Sequence, residues 1–161
     1  MKNFYLLTVL LFAFFGKAQQ KAISFEEAKK TSHSAEVLDK AYKSALHSDA
    51  KLAVFKTEQE QEQLVKAYTK LLQDFGTFLK QHNFSWQHTR RCFNRIYINK
   101  TGDIDYFLYQ FNSNKEHSEE NMTPIQVKEF ERLLNLFLQD YRFGVSANEN
   151  FAQCSPVVYK D

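Results

Sequence analysis

From Leu64 to Leu79 apolar residues fall three and four apart: Leu64, Val65, Tyr68, Leu71, Leu72, Phe75, Phe78 and Leu79 make one stripe. Glu58, Glu60 and Glu62 come early and Lys66, Lys70 and Lys80 late, mainly off that stripe, as a helix dipole favours. Thr57 followed three residues on by Glu60 is a capping box, so the pattern predicts a helix from Thr57 to about His82-Asn83. The same spacing returns in Val127, Phe130, Leu133, Leu134, Phe137, Leu138 and Tyr141. Thr123-Pro124-Ile125-Gln126 opens that second helix, and Arg142 and Gly144 mark its end. Upstream, Ser24-Phe25-Glu26-Glu27 is a third box, and Val37, Leu38, Ala41, Tyr42, Ala45 and Leu46 form a weaker stripe. Thr31, Ser32, His33 and Ser34 interrupt it, predicting two short helical pieces that stop at His47-Ser48-Asp49.

Between the two strong helices the period changes. Cys92 to Asn99 is rich in β-branched and aromatic residues, Lys100-Thr101-Gly102-Asp103 is a turn, and Ile104 to Phe111 is a second strand. Ile104, Tyr106 and Leu108 point one way and Phe107, Tyr109 and Phe111 the other, so this strand is either covered on both faces, as the flanking helices allow, or leaves an aromatic face open as a ligand or partner surface at Tyr106 or Tyr109. Residues 112–121 are a polar loop, and Phe151 to Tyr159 is a last strand. Pro156 cannot donate to a ladder, which predicts that the last strand is an edge or is bulged there. The expected fold is α+β: helices over residues 24–82, then a ββαβ unit over 92–159 with a three-stranded antiparallel sheet. The strand at Cys92 stands in its centre.

The first eighteen residues belong to a different pattern. Lys2 is followed by the apolar run Phe4 to Phe15, broken only by Thr8, and Gly16-Lys17-Ala18 places small residues where a signal peptidase reads them. The run is shorter than the roughly 20 residues a membrane-spanning helix needs. The expectation is a signal peptide over 1–18, cleavage after Ala18, and one mature domain over 19–161 with no transmembrane segment. Losing Lys2 and Lys17 takes the formal charge from +2 to zero, so the mature chain has no net charge to draw it to nucleic acid or anionic lipid.

The mature part holds two cysteines, Cys92 and Cys154. In an oxidising compartment an exported pair on neighbouring strands is a disulfide candidate, the alternative being two separate thiols. Three N-glycosylation patterns, at Asn83, Asn99 and Asn121, matter only in a host that glycosylates.

Catalytic chemistry is thinly represented. The histidines, His33, His47, His82, His88 and His117, make no HxxxH or HExxH pair, and no metal set or cofactor motif is legible. His88 and Cys92 share a strand parity but stand about 13 Å apart, beyond a direct hydrogen bond. There is no serine elbow and no phosphate loop. What stands out is a basic and aromatic cluster: His88, Arg90, Arg91, Arg95 and Lys100 interleaved with Trp86, Phe93 and Tyr97. That composition suits a single-strand nucleic-acid platform, but export favours a carbohydrate or an anionic ligand, and a solvated strand edge is the plainer reading. Arg90, Arg91, Arg95, Tyr106 and Tyr109 are the binding-surface candidates.

Two resemblances add to this. The aromatic-rich signal ending in Ala18-Gln19 resembles those of Bacteroidetes exported proteins, which implies the periplasm first and the extracellular space second. The order of strand, turn with Gly102-Asp103-Ile104, aromatic strand, helix ending in Asp140-Tyr141-Arg142-Phe143 and last strand resembles the ββαβ layout of TonB C-terminal domains over residues 92–159. It departs from them in lacking a Pro-rich spacer and in placing Tyr141-Arg142-Phe143 where a Trp-containing motif is expected. The family would imply a periplasmic module that binds a protein partner by strand addition, here at the edge strand 151–159. The expected function is therefore a non-catalytic binding or protein-interaction module. The alternatives are a small exported hydrolase-like enzyme, or self-assembly through the stripe of the Thr57–His82 helix.

Overall fold

A computed structural model describes residues 20–113 and 121–161; the expected signal peptide over 1–18, with its expected cleavage point, and most of the 112–121 loop, including His117, lie outside the described residues. The elements in chain order are β1 (Ala22–Ser24), α1 (Phe25–Ala28), α2 (Ala35–Leu38), β2 (Lys43–Ser44), α3 (Glu58–Gln81), β3 (Arg90–Ile98), β4 (Ile104–Phe111), α4 (Pro124–Asp140) and β5 (Phe151–Tyr159).

The long helices begin where their caps stand. Thr57 Oγ1 accepts from Glu60 N at 3.2 Å while Glu60 Oε2 accepts from Thr57 N at 2.9 Å. Thr123 and Gln126 repeat that exchange ahead of Pro124, whose missing N–H costs nothing in a first turn. The α3 stripe is spent inside the molecule: Leu64, Tyr68, Leu71, Phe75 and Leu79 are buried against the sheet, and the apolar side chain left well exposed is Val65. Self-assembly through that stripe is thereby removed as a reading.

The sheet is mixed and five-stranded, in the order β1-β4-β3-β5-β2. Its centre is the expected one, with β3 antiparallel to both β4 and β5. The three-stranded antiparallel expectation is corrected at the two margins. β1 pairs parallel with β4, Ala22 to Phe107 through Ser24 to Tyr109, and β2 pairs parallel with β5 at Phe151 and Ala152. These strands have three and two residues, too few to show a period, and what defines them is the unpaired backbone of the larger strand beside them. The upstream stripe likewise forms only two single turns, α1 and α2, separated at the polar Thr31–Ser34 interruption.

A bulge changes the facing of β4. Tyr97 opposes Tyr106 but Ile98 opposes Ile104, so Asp105 is the extra residue. Ile104 therefore turns away from Tyr106 and Leu108 and joins Ile98, Phe107 and Tyr109 in the main core. That core lies between the sheet and α3 and α4. Phe130 is its hub, with ring centroids 5.0 Å from Phe111, 5.2 Å from Tyr109, 5.6 Å from Phe75 and 5.7 Å from Trp86. The opposite face carries a smaller core of Tyr97, Leu108 and Ala152 under Ala28, Leu38 and Tyr42. β4 is thus covered on both sides.

Candidate functional site

β5 is an edge strand for most of its length. Asn150 O and Ala152 O accept from Lys43 N and Ala45 N, which fixes the alternation: even-numbered residues turn their backbone groups away from β3. Beyond Ala152 the groups of Cys154, Pro156 and Val158 therefore point to an edge that β2 does not reach. The strand itself blunts that edge. Pro156 has no N–H, Gln153 Nε2 donates to Cys154 O at 3.1 Å, and Ser155 Oγ donates to Pro156 O at 2.9 Å. What faces outward for a new ladder is the N–H of Cys154 and both groups of Val158.

Beside this edge runs a groove of about 280 Å³ between α3 and β5, lined by Leu72, Gly76, Leu79, Trp86, Val157 and Tyr159 among others. Its depth comes from Gly76. A Cβ at that position would meet nothing within 4 Å, so an ordinary side chain would fill part of the groove instead of clashing. The far wall is rigid: Trp86 stacks on Tyr159 with centroids 4.7 Å apart and planes 11° apart. The backbone N–H of Trp86 donates to the Asp161 carboxylate at 3.1 Å and Ser85 Oγ reaches it at 2.8 Å, so the C-terminal residue ties the two walls together. These contacts hold the Asp161 carboxyl below its ordinary value. Lys80 and Lys160 stand exposed at the mouth.

The residues singled out from sequence do not converge there. Arg95 donates from Nη2 and Nε to Asp39 Oδ1 at 2.7 and 3.0 Å, and Tyr97 OH donates to the same oxygen at 3.0 Å. Arg95 therefore fastens the α2 turn to β3. Tyr106 packs against His33 in a tilted ring pair with centroids 4.7 Å apart. Tyr109 is buried in the main core and donates to Glu131 Oε2 at 2.5 Å. Arg91 is exposed on the face opposite α3 and α4, whereas Arg90 is 8% exposed at the first position of β3.

The expected disulfide is not formed; Cys92 is a buried free thiol and Cys154 an exposed one. Their strands are neighbours, but Cys154 opposes Arg95 and Cys92 opposes Val157. They are thus three rungs out of register, roughly 10 Å along the strand, and on opposite faces of the sheet. Nor is Cys92 an activated nucleophile: burial pushes its thiol up to about 12, and its Sγ donates to Asn94 Oδ1 at 3.2 Å. Asn94 in turn donates to Tyr159 OH at 3.0 Å, a polar thread inside the core. Among the described residues no group of three or more His, Cys, Asp or Glu is placed to hold a metal ion, and no helix is long and apolar enough to cross a membrane.

Sequence reasoning missed the groove. Its one legible trace was Gly76, a helix-weakening residue inside an otherwise strong helical pattern. Asp39 left no signal, since an isolated acid after a short apolar turn is indistinguishable from a solvated one. Comparison of the chain with protein-family models, with curated proteins and with solved structures finds no match.

Proposed function

We propose that this chain is a non-catalytic interaction module, exported to the periplasm, that captures an extended protein segment along the outer edge of β5. The observation that carries this reading is the apolar groove opened by Gly76 directly beside the unpaired part of β5. Pro156 and the two capped carbonyls leave few backbone partners, so the ladder sets direction and register while side chains in the groove supply most of the affinity. Lys80 and Lys160 at the mouth favour an acidic or carboxylate-bearing segment and speed its encounter. The resemblance of residues 92–159 to TonB C-terminal domains supports the same mode of binding.

Gly76→Leu is the direct test, because a Cβ at that position meets nothing within 4 Å and the rest of the side chain can occupy the groove. A photo-crosslinking residue at Gln73, on the groove wall, reports capture in the intact envelope. The expected outcome is one crosslinked partner, lost in Gly76→Leu and increased in Pro156→Val, which restores an outward N–H. Crosslinking unchanged by both substitutions would overturn the reading. Mass analysis of the envelope-purified chain tests export: the mature form should begin at Gln19, and an intact Met1 on a cytoplasmic form would refute it.

A further inference from the structure

Among the described residues Arg90 is a buried cation without a counter-charge. It is 8% exposed, its Nε is sealed from solvent, and among the described residues no carbonyl, hydroxyl or carboxylate accepts from its guanidinium. The other arginines are accounted for: Arg95 pairs with Asp39, Arg132 with Glu129 and Arg142 with Asp103, while Arg91 is exposed to solvent. Among the described residues, the carboxylate at this end of the sheet is Asp161, two residues beyond Tyr159, the register partner of Arg90. It is turned to Trp86 N and Ser85 Oγ instead. His88 and Lys160, both exposed, add to the basic excess at this end.

A guanidinium in this state is expensive. A buried donor left unpaired costs its full desolvation penalty, and a charged one costs more than a neutral one. A methionine or leucine would fill the same space at no such cost; an acceptor at the open Nη atoms would offset part of it, with Nε itself left unpaired. Alternation along β3 puts the Arg90 stem on the same face as buried Cys92 and Asn94. With Nε sealed, side-on recognition through Nε and one Nη is closed. The two Nη atoms, which are not sealed, remain for an end-on contact.

We infer that Arg90 anchors an oxyanion site, in which a carboxylate or phosphate group is held end-on by its two Nη atoms. The stem and Nε, fixed in the core, pre-set the fork so that little side-chain freedom is lost on binding. This inference is independent of peptide capture at β5, because Arg90 does not line the groove beside Gly76.

The test uses the mature chain, with sodium acetate and inorganic phosphate titrated separately against sodium chloride at matched ionic strength. Two readouts are followed: the Arg90 Nε–Hε resonance, assigned by its loss in Arg90→Lys, and the thermal midpoint. The expected result is a saturable shift of that resonance and a rise of the midpoint with at least one anion. A response to acetate alone identifies a carboxylate ligand, and a response to phosphate alone a phosphate. Arg90→Met should weaken anion binding about tenfold or more, the weight of a charge-assisted hydrogen-bonded pair. Without added anion it should melt at or above the wild-type midpoint, since it removes an unpaired buried charge. Arg91→Met should respond to anion as wild type does. A midpoint rise that persists in Arg90→Met, an unmoved Arg90 resonance with both anions, or a large loss of stability in Arg90→Met without anion would each overturn the assignment.

Discussion

Tyr97 OH and the Asp39 carboxylate meet at 3.0 Å, and through that contact the short α2 turn is held to the central strand of the sheet. The same Oδ1 accepts from Arg95, whose guanidinium also lies 5.7 Å from the Tyr97 ring centre. Burial pushes the Tyr97 hydroxyl far above its ordinary value, with the adjacent Arg95 charge opposing, so Tyr97 stays protonated and donates. Asp39→Ala should cost about 1–3 kcal/mol, towards the low end because the Asp39 side chain is 41% exposed. Tyr97→Phe should cost roughly 0.5–1.5 kcal/mol, and the double variant less than the sum. Urea midpoints of the four proteins measure this; strict additivity would mean that the pair does not couple.

Thiol counting separates the two cysteines. With Cys154 exposed and Cys92 buried on the opposite face, a disulfide-exchange reagent should label Cys154 alone in the native protein. Both should react in denaturant without prior reduction. The first reaction should be fast at pH 8, while Cys92, whose thiol is pushed up to about 12, reacts only as the domain opens. Absence of any reactive thiol in denaturant would instead mean an oxidised pair and a different packing of β5.

The aromatic hub sets a rank order. Phe130 is fully buried amid six other rings, and Phe130→Ala should cost about 3–5 kcal/mol. Phe137, half-buried at the edge of the same core against Phe75 and Phe78, should cost less when cut to alanine. Denaturation midpoints decide it; the reverse order would mean that α4 presents Phe137 and not Phe130 to the sheet.

Glu131 gives a pH signature. Burial raises its carboxyl above the ordinary glutamate value; the Tyr109 hydrogen bond opposes and the nearby Glu27 charge adds. An acid with a raised folded value is harder to ionise in the fold than in the open chain. Its contribution to stability therefore falls as pH rises from the ordinary value to the raised one, then levels. Asp74, Asp103 and Asp161 have the opposite sign: their values are lowered, and the stability they contribute is lost as pH falls through those values. The difference between wild type and Glu131→Gln, followed from about pH 4 to 7, isolates Glu131. It should shift in favour of the glutamine variant as pH rises, and a flat difference would refute the burial argument.

Local chemistry alone determined a good deal here. Thr57 with Glu60 and Thr123 with Gln126 fix helix starts through hydrogen bonds that span three residues, and the α3 and α4 stripes fix which faces are buried. The alternation of β3, the Gly102 turn and the proline of β5 fix a hairpin and an edge, and together with α4 they make β3 the centre of its unit. Each of these depends on neighbours close along the chain. Tertiary structure alone decided the rest. β1 and β2 exist because β4 and β5 had open edges to fill, and the Asp105 bulge turns Ile104 over because its partner Ile98 faces the helices. The facing of Cys92 and Cys154 depends on a register three rungs long, which no spacing records. The groove at Gly76 and the unpaired Arg90 are relations between a helix, a strand and a chain end distant in sequence. Such relations come from the packing free energy of the whole domain, which no local pattern carries.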